Sequence, residues 1–399
     1  TWTFFFRRLH KNPSYYGLEL SAEEHSSIAA QQLANEYMVE MVEKSLGELA
    51  KSKCVEVFPN GDVDSTPLGK IMSYYYLSHL TIRHLVRNAK AQASFLDVLS
   101  WMCRATEYDE LPVRHNEDLV NDTLSSNLPF PGHSFGLPMW DPHVKSFLLL
   151  QAHMSRIDLP ITDYVGDQTS VLDQAIRIIQ ASIDVLTELG HLSSCLQMMK
   201  LMQTIKCARW PNDAPASILP GVDPDSTKDD TPLTKLSTFT TPQVNQLAKK
   251  LRVPAAQQSR FARAVSFLPN VSVSLSEATG QSLTVDLKRL NPLVDRDARI
   301  FAPKFPKPQT EGWFVVVADV ERDEVIAVKR VGWSAGAGSG AGKKPGRGSA
   351  PSAKATIRLP EPVEGQERKL DVLVVSDAYI GLEYSIPRVD RMLQTGLEK

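Results

Sequence analysis

Glycine and lysine are concentrated between residues 336 and 344, in a pattern similar to the loop that cradles phosphates in nucleotide-binding proteins. Such a loop needs a first glycine at a fixed distance before the Gly-Lys pair, a Ser or Thr after the lysine, and a helix beyond it. Here Ala337 stands where that glycine should be, and Lys344 follows Lys343. The sequence therefore argues against nucleotide binding in this segment.

Ionisable residues also cluster from Arg114 to Asp118, where they could form a metal site or an acid–base site. An Asn N-cap followed by acidic first-turn residues accounts for the same pattern, because carboxylates complement the helix dipole. His143 and His153 share one predicted helix without the glutamate of a zinc protease, so we expect both to be satisfied core residues. The four cysteines form no C-x-x-C pair. We predict no catalytic, cofactor-binding or metal-binding residue in this chain.

A polar stripe on one predicted helix is the more promising feature. Over residues 171–186, the apolar side chains Leu172, Ile176, Ile179, Ile183 and Leu186 fall largely on one side. The stripe on the other side consists of Gln174, Arg177, Gln180 and Asp184. An ordinary solvated face explains such a pattern. The functional alternative is a helix that lines a nucleic-acid channel, with Arg177 contacting a phosphate or stacking on a base.

The elements that would position this stripe change in type along the chain. A long helix and a short hairpin predict the C-terminal part of a winged helix over residues 1–67. Helical periodicity over 68–210 predicts a bundle, with the striped helix at 170–189. Residues 211–268 predict a linker and a helix-loop-helix. Short strands over 269–399 predict an immunoglobulin- or fibronectin-like β-sandwich, interrupted by a disordered loop at 334–355. The expected fold class is multidomain α+β.

Composition limits the function classes further. The chain has 399 residues and a net charge of −2, which excludes a uniformly basic nucleic-acid binder but allows a local basic face. We expect an intracellular chain, because no apolar run approaches the ~18 residues that cross a bilayer and the start is too short for a signal peptide. It begins without Met and inside an aromatic run, so we expect a segment of a longer polypeptide.

Several motifs, in chain order, resemble the Sec-63 homology unit of Ski-2-like nucleic-acid helicases. They are Thr1-Trp2-Thr3-Phe4 with Arg7-Arg8, Asn12-Pro13-Ser14-Tyr15-Tyr16, Leu68-Gly69 with Ser73-Tyr74-Tyr75-Tyr76, Pro112-Val113-Arg114-His115-Asn116-Glu117-Asp118, Asp141-Pro142-His143-Val144-Lys145, Leu148-Leu149-Leu150-Gln151-Ala152-His153-Met154-Ser155-Arg156, Glu311-Gly312-Trp313 and Ser376-Asp377-Ala378-Tyr379. The resemblance spans nearly the whole chain. It implies the same order of bundle, helix-loop-helix and immunoglobulin-like domain.

The resemblance also implies a role. In these helicases two RecA-like domains hydrolyse ATP with Mg²⁺, and a bundle helix called the ratchet lines the path of the translocating strand. Residues 171–186 match the ratchet in position, so Gln174 and Arg177 are implied contacts to single-stranded RNA, while Gln180 and Asp184 follow by helical spacing. The RecA-like domains are expected upstream of Thr1, as partners of this accessory unit, with no cofactor in the segment itself.

Two groups of tandem-cassette helicases are similar to this chain. The pattern at Phe4-Phe5-Phe6-Arg7-Arg8-Leu9 and Lys329-Arg330-Val331-Gly332-Trp333 is closer to the group of the activating signal cointegrator complex and the fungal ribosome-quality-control trigger complex. That group implies protein subunits of a helicase complex and the ribosome as partners, no membrane, and a cytoplasmic location that extends to the nucleus. The competing hypothesis is a C-terminal protein-interaction platform of the spliceosomal group.

Overall fold

The computed structural model describes residues 3–18, 28–223, 229–279, 282–293, 298–333, 351–359, 369–387 and 389. The chain divides into two compact units, Thr1–Arg83 and His84–Lys399. Their described parts contain twelve α-helices and small antiparallel sheets, so the fold is mixed α and β. None of the helices in these ranges combines the length and hydropathy that a bilayer-crossing helix needs. The glycine-rich segment 336–344 lies outside the described residues.

The first unit contains helices and one hairpin. Its elements are α1 (Phe4–Lys11), α2 (Ile28–Lys51), β1 (Val55–Val57), β2 (Val63–Ser65), α3 (Pro67–Tyr75) and the start of α4 (His79–Asn88). The predicted hairpin is confirmed, since Val55 pairs with Ser65 and Val57 with Val63. Its turn contains Gly61, whose φ of 87° lies in the left-handed region that favours glycine.

Helices make up the first half of the second unit. After α4 come α5 (Phe95–Cys103), α6 (Glu117–Ser125), α7 (Pro142–Ser155), α8 (Thr162–Glu188) and α9 (Leu192–Cys207). Helix α7 is buried without a break from Val144 to Met154, and α8 packs against α7, α9 and α5. A helix that is buried on every side lies at the centre of its bundle. Helix α7 is therefore the core around which α5, α8 and α9 pack.

A short helix, α10 (Leu233–Leu236), is followed by two longer ones, α11 (Thr241–Lys250) and α12 (Ala255–Ser266). Helix α11 begins with a capping box, in which the backbone N–H of Thr240 donates to Gln243 Oε1 at 2.8 Å. Phe261 and Val265 of α12 are buried in a core that includes residues of both following sheets.

Two antiparallel sheets form the rest of the second unit. One has the order β3–β4–β7 and the other β6–β5–β8–β9, and all neighbouring strands are antiparallel. The strands are β3 (Val271–Thr279), β4 (Ser282–Arg289), β5 (Gly312–Asp319), β6 (Glu324–Gly332), β7 (Ser352–Arg358), β8 (Asp371–Ser376) and β9 (Glu383–Ile386). Apolar side chains from both sheets share one core.

Strand β7 corrects the predicted boundary of the disordered loop. The loop was expected to reach residue 355, but the strand begins at Ser352, within that range. Ala353, Ala355 and Ile357 alternate inward while Lys354 points outward, so the segment has the period of a half-buried strand. Residues 334–350 of the expected loop lie outside the described residues.

Candidate nucleic-acid interface on helix α8

Helix α8 holds the polar stripe predicted from the sequence. It begins at Thr162 rather than at residue 170 and ends at Glu188, so it is longer at its N-terminus than expected. The added turns carry mostly polar residues, and their helical conformation is supported by the buried side chains of Tyr164 and Asp167. Tertiary contacts, rather than an apolar repeat, therefore set the start of this helix.

The four stripe residues are half-buried, whereas Leu172, Ile179 and Ile183 on the other side are almost completely buried. Arg177 Nη2 donates a hydrogen bond to Gln174 Oε1 one turn earlier. The structure thus joins two of the predicted residues directly. Gln180 and Asp184 lie further along the same side, toward the C-terminal end of α8.

Charged and aromatic groups flank the stripe. Next to Gln174, Asp173 Oδ2 accepts from Lys307 Nζ at 2.7 Å, which ties α8 to the segment before β5. Tyr108 donates its hydroxyl to the carbonyl of Val171 at 3.1 Å. Burial raises the pKa of Tyr108 well above its ordinary value, although the nearby charge of Arg177 acts to lower it. Tyr108 is therefore a neutral hydrogen-bond donor at neutral pH.

A buried polar cluster anchors the N-terminal part of α8. We call Arg114, Glu117, Lys145 and Asp167 the Lys145 cluster. Lys145 Nζ donates to Glu117 Oε2 at 2.5 Å, to Asp167 Oδ2 at 2.7 Å and to the carbonyl of Pro112 at 2.7 Å. Arg114 also bridges both carboxylates, with Nη1 at 2.9 Å from Glu117 Oε1 and at 2.7 Å from Asp167 Oδ2. Three helices, α6, α7 and α8, are thereby joined by charge-assisted hydrogen bonds.

The pKa values in the Lys145 cluster show that its charges compensate. Burial acts to raise the pKa of Glu117 and of Asp167, but hydrogen bonds from Lys145 and Arg114 outweigh it, so both pKa values lie below their ordinary values. The same hydrogen bonds raise the pKa of Arg114. Both carboxylates are therefore ionised at neutral pH, and the buried charges are paired, as burial requires.

The interpretation of Arg114 to Asp118 as a helix start is confirmed, since Asn116 is the N-cap of α6 and Glu117 and Asp118 lie in its first turn, although the details differ. Asn116 occupies the N-cap position of α6 with a φ of 63°, and within the described residues its side chain makes no capping hydrogen bond. Glu117 turns inward to Lys145 rather than acting as an exposed first-turn carboxylate. The sequence signal for this cluster is the single lysine, Lys145, in a largely apolar helix, but that signal does not identify its partners.

The C-terminal end of α8 is held by the turn that precedes β6. Gly190 has a φ of 76°, and its carbonyl accepts from the backbone N–H of Val325 at 3.1 Å. Asp323 Oδ1 accepts from the backbone N–H of Ser193 at 2.8 Å and from its hydroxyl at 2.6 Å. The turn between α8 and α9 is therefore fixed to the sheet.

His153 is a core residue as predicted, whereas His143 is half-buried and its Nε2 lies 3.0 Å from Asp109 Oδ1. His153 is buried and its Nε2 lies 2.8 Å from the carbonyl of Ile205, while His143 Nδ1 lies 2.8 Å from the carbonyl of Cys103. Burial lowers the pKa of His153 to about 4. No group of His, Cys, Asp and Glu in the described ranges could hold a metal ion. The four cysteines are all buried and free.

The polar groups on α8 are of the kind that contact a nucleic-acid strand. A half-buried guanidinium beside an amide supplies donors for a phosphate or a base edge, and its planar face can stack on a base. Its two anchored ends hold α8 in position against the bundle and the sheet. The stripe is narrow, which agrees with a chain whose net charge is close to zero.

Comparison with known proteins places most of the chain in one family. The family model described as the Sec63 Brl domain matches residues 65–388. The chain is 38% identical over 360 residues to the RQC trigger complex helicase SLH1 of Saccharomyces cerevisiae, covering 83% of this chain and 18% of that protein. It is 33% identical to the activating signal cointegrator 1 complex subunit 3 of Homo sapiens, covering 84% of this chain and 17% of that protein. It is 32% identical to the U5 small nuclear ribonucleoprotein 200 kDa helicase of Homo sapiens, covering 83% of this chain and 15% of that protein. The chain therefore spans less than a fifth of the length of these relatives.

Proposed function

The chain belongs to the Sec63 family, and we propose that it is the accessory unit of an ATP-dependent RNA helicase, in which it guides single-stranded RNA along α8 and docks protein partners. In this proposal ATP and Mg²⁺ act in RecA-like domains of a longer polypeptide. The relatives named as helicases support this proposal, and so does the greater length of those proteins.

The observation that carries the strand-guiding role is the pairing of Arg177 with Gln174 on a helix anchored at both ends. A guiding surface must keep its donors in place while the strand slides past, and rigid elements do this better than loops. A single half-buried arginine contacts successive nucleotides without reading sequence, since phosphate contacts position rather than specify. Gln180 and Asp184 extend the same surface.

The test uses the helicase that carries this chain, with Arg177→Glu and the uncharged variant Arg177→Gln. We expect Arg177→Glu to reduce RNA-stimulated ATPase activity and unwinding, with Arg177→Gln intermediate, because a carboxylate repels phosphates. Lys235→Glu, an exposed charge reversal on α10, is the matched control. Unchanged unwinding with Arg177→Glu would refute strand guiding by α8.

Within this family we propose a role in ribosome-associated quality control, in which the parent splits collided ribosomes in the cytoplasm. The similarity to the RQC trigger complex helicase supports it. The alternative is a protein-interaction platform of a spliceosomal helicase. The similarity to the U5 helicase, which covers the same share of the chain, supports that alternative. Fractionating tagged helicase on sucrose gradients tests the choice. Recovery with stalled ribosomes supports the first role, and recovery with U5 particles instead supports the second.

The finer fold assignment is also a proposal. We propose that the hairpin of β1 and β2 is the wing of a partial winged helix at residues 1–67. We assign residues 68–210 to a bundle and 211–268 to a linker with a helix-loop-helix. We propose that residues 269–399 form an immunoglobulin-like sandwich, which the three-stranded and four-stranded antiparallel sheets with a common core support.

A further inference from the structure

A cavity of about 360 Å³ opens between α12 and the segment before β5, and no residue of the polar stripe of α8 lines it. Ala264 and Ile300 are apolar residues of its wall, and Tyr379 in the lining is almost completely buried. Three arginines, Arg260, Arg263 and Arg299, also line it. Apolar walls combined with a few charged groups are typical of binding sites.

The surroundings of the cavity are basic although the whole chain is not. Residues 241–268 contain Lys249, Lys250, Arg252, Arg260 and Arg263 and no Asp or Glu, while the net charge of the chain is −2. Lys250 is paired with Asp229 at 2.8 Å. Arg260 and Arg263 are exposed and lie one turn apart on α12, so both can reach a ligand at the cavity.

The lining between the arginines is largely apolar and suits an apolar side chain. Here the guanidinium of Arg263 lies over the ring of Phe267, 5.7 Å from its centroid, and Tyr379 is buried with its hydroxyl bonded to the backbone of Phe301. The remaining wall consists of Pro220, Ala264, Ile300 and the ring of Phe301, which is 37% exposed. An apolar side chain fills such a space without leaving polar groups unpaired.

We propose that this cavity binds one apolar side chain of an acidic peptide segment from a partner protein, whose carboxylates are held by Arg260, Arg263 and Arg299. Guanidinium groups bind carboxylates through two parallel hydrogen bonds, which gives both charge complementarity and orientation. The inference deepens the docking part of the proposed function and does not depend on strand guiding by α8.

Fluorescence anisotropy with the 399-residue chain tests the proposal. The probe is a fluorescein-labelled peptide with a central Leu-Phe pair flanked by aspartates, and the comparison peptide has asparagines in their place. We expect the acidic peptide to bind more tightly. The double charge reversal Arg260→Glu with Arg263→Glu should weaken its binding at least about tenfold, because two attractive charge pairs become repulsive ones. Both side chains are exposed, so the fold should survive.

Two further variants separate the cavity from general basic charge. Ala264→Trp fills the cavity without changing charge and should also weaken binding, whereas Lys249→Glu on α11, outside the cavity lining, should change it less than about twofold. Arg177→Glu should leave peptide binding unchanged, so failure of this inference is distinguishable from failure of strand guiding. The proposal is overturned if the acidic peptide does not bind, if Lys249→Glu matches the arginine pair, or if labelled oligouridine binds instead and loses affinity with that pair.

Discussion

Replacing Lys145 by methionine tests whether the Lys145 cluster holds the bundle together. The side chain of Lys145 is fully buried, and the carboxylates of Glu117 and Asp167 are 4% and 8% exposed. The methionine side chain is unbranched and of similar length, but it leaves two buried carboxylates with Arg114 as their main counter-charge. Breaking a buried ion pair by removing one partner costs about 3–5 kcal/mol. We expect a loss in this range, toward its lower end because Arg114 is partly exposed and stays in place.

Urea unfolding of the 399-residue chain, followed by circular dichroism at 222 nm, measures this loss because the signal is dominated by helices. Lys90→Met is the matched control, since Lys90 pairs with Asp97 at 2.8 Å but is 53% exposed. Exposed pairs are worth about 0–1 kcal/mol, so this variant should unfold close to the wild type. If Lys145→Met costs no more than Lys90→Met, the cluster does not stabilise the bundle and the reasoning is refuted.

The pH dependence gives a second check on the same cluster. The pKa values of Glu117 and Asp167 are lowered in the folded state, so the stability they contribute is present above their ordinary values of 4.5 and 3.8 and is lost as the pH falls through the folded values. Once the carboxylates are protonated, removing Lys145 no longer leaves buried negative charges without a partner. The difference in stability between wild type and Lys145→Met should therefore shrink as the pH falls from 7 toward 3. A constant difference over this range would contradict the assignment.

Three other outcomes are expected. Burial lowers the pKa of His153 to about 4 from its ordinary 6.5, so the unfolded chain takes up more protons than the folded chain between these pH values. Stability therefore falls as the pH is lowered through this range. His153→Gln should flatten that slope in urea titrations repeated at each pH, and an unchanged slope would exclude His153 as its source. Gly69→Ala should destabilise the first unit by about 1–3 kcal/mol in thermal melts, because its Cβ would lie 2.0 Å from the carbonyl oxygen of Cys54. Ser73→Ala on the same helix is its control, and equal melting of both would contradict the clash. The four buried cysteines should not react with Ellman's reagent until guanidinium is added, and rapid labelling of the native chain would show that they are accessible.

The sequence predicted helices and strands best where residues of one type recur on one face of the element. The hairpin of β1 and β2 follows from alternation around Asn60 and Gly61, and the stripe on α8 follows from helical spacing. The start of α8 could not be predicted in this way, because its first turns are stabilised by Tyr164 and Asp167 through residues distant in sequence. Long-range contacts of this kind override local pattern.

Strand β7 shows a different limit. Its inward positions are Ala353, Ala355 and Ile357, and the first two are too small to make alternation visible beside the low-complexity residues before them. The Lys145 cluster was missed for a related reason. A charged residue in a predicted apolar helix indicates burial with a partner, but Glu117 and Asp167 come from two other helices, and single-sequence spacing cannot pair them.

The anchoring contacts and the polar stripe lie at different positions along α8, so substitutions at the two should have different effects on stability and on strand binding. Near the N-terminal end of α8, Asp167 is held by Lys145 and Arg114, and just beyond its C-terminal end Ser193 is held by Asp323. These contacts help to position the middle of the helix, where Gln174 and Arg177 lie. Changes at the anchors should alter both stability and any function of the stripe. Changes at Arg177 remove its half-buried hydrogen bond to Gln174 and should alter strand binding more than they alter stability. A stripe residue that behaved like an anchor would belong to the packing of the bundle rather than to a guiding surface.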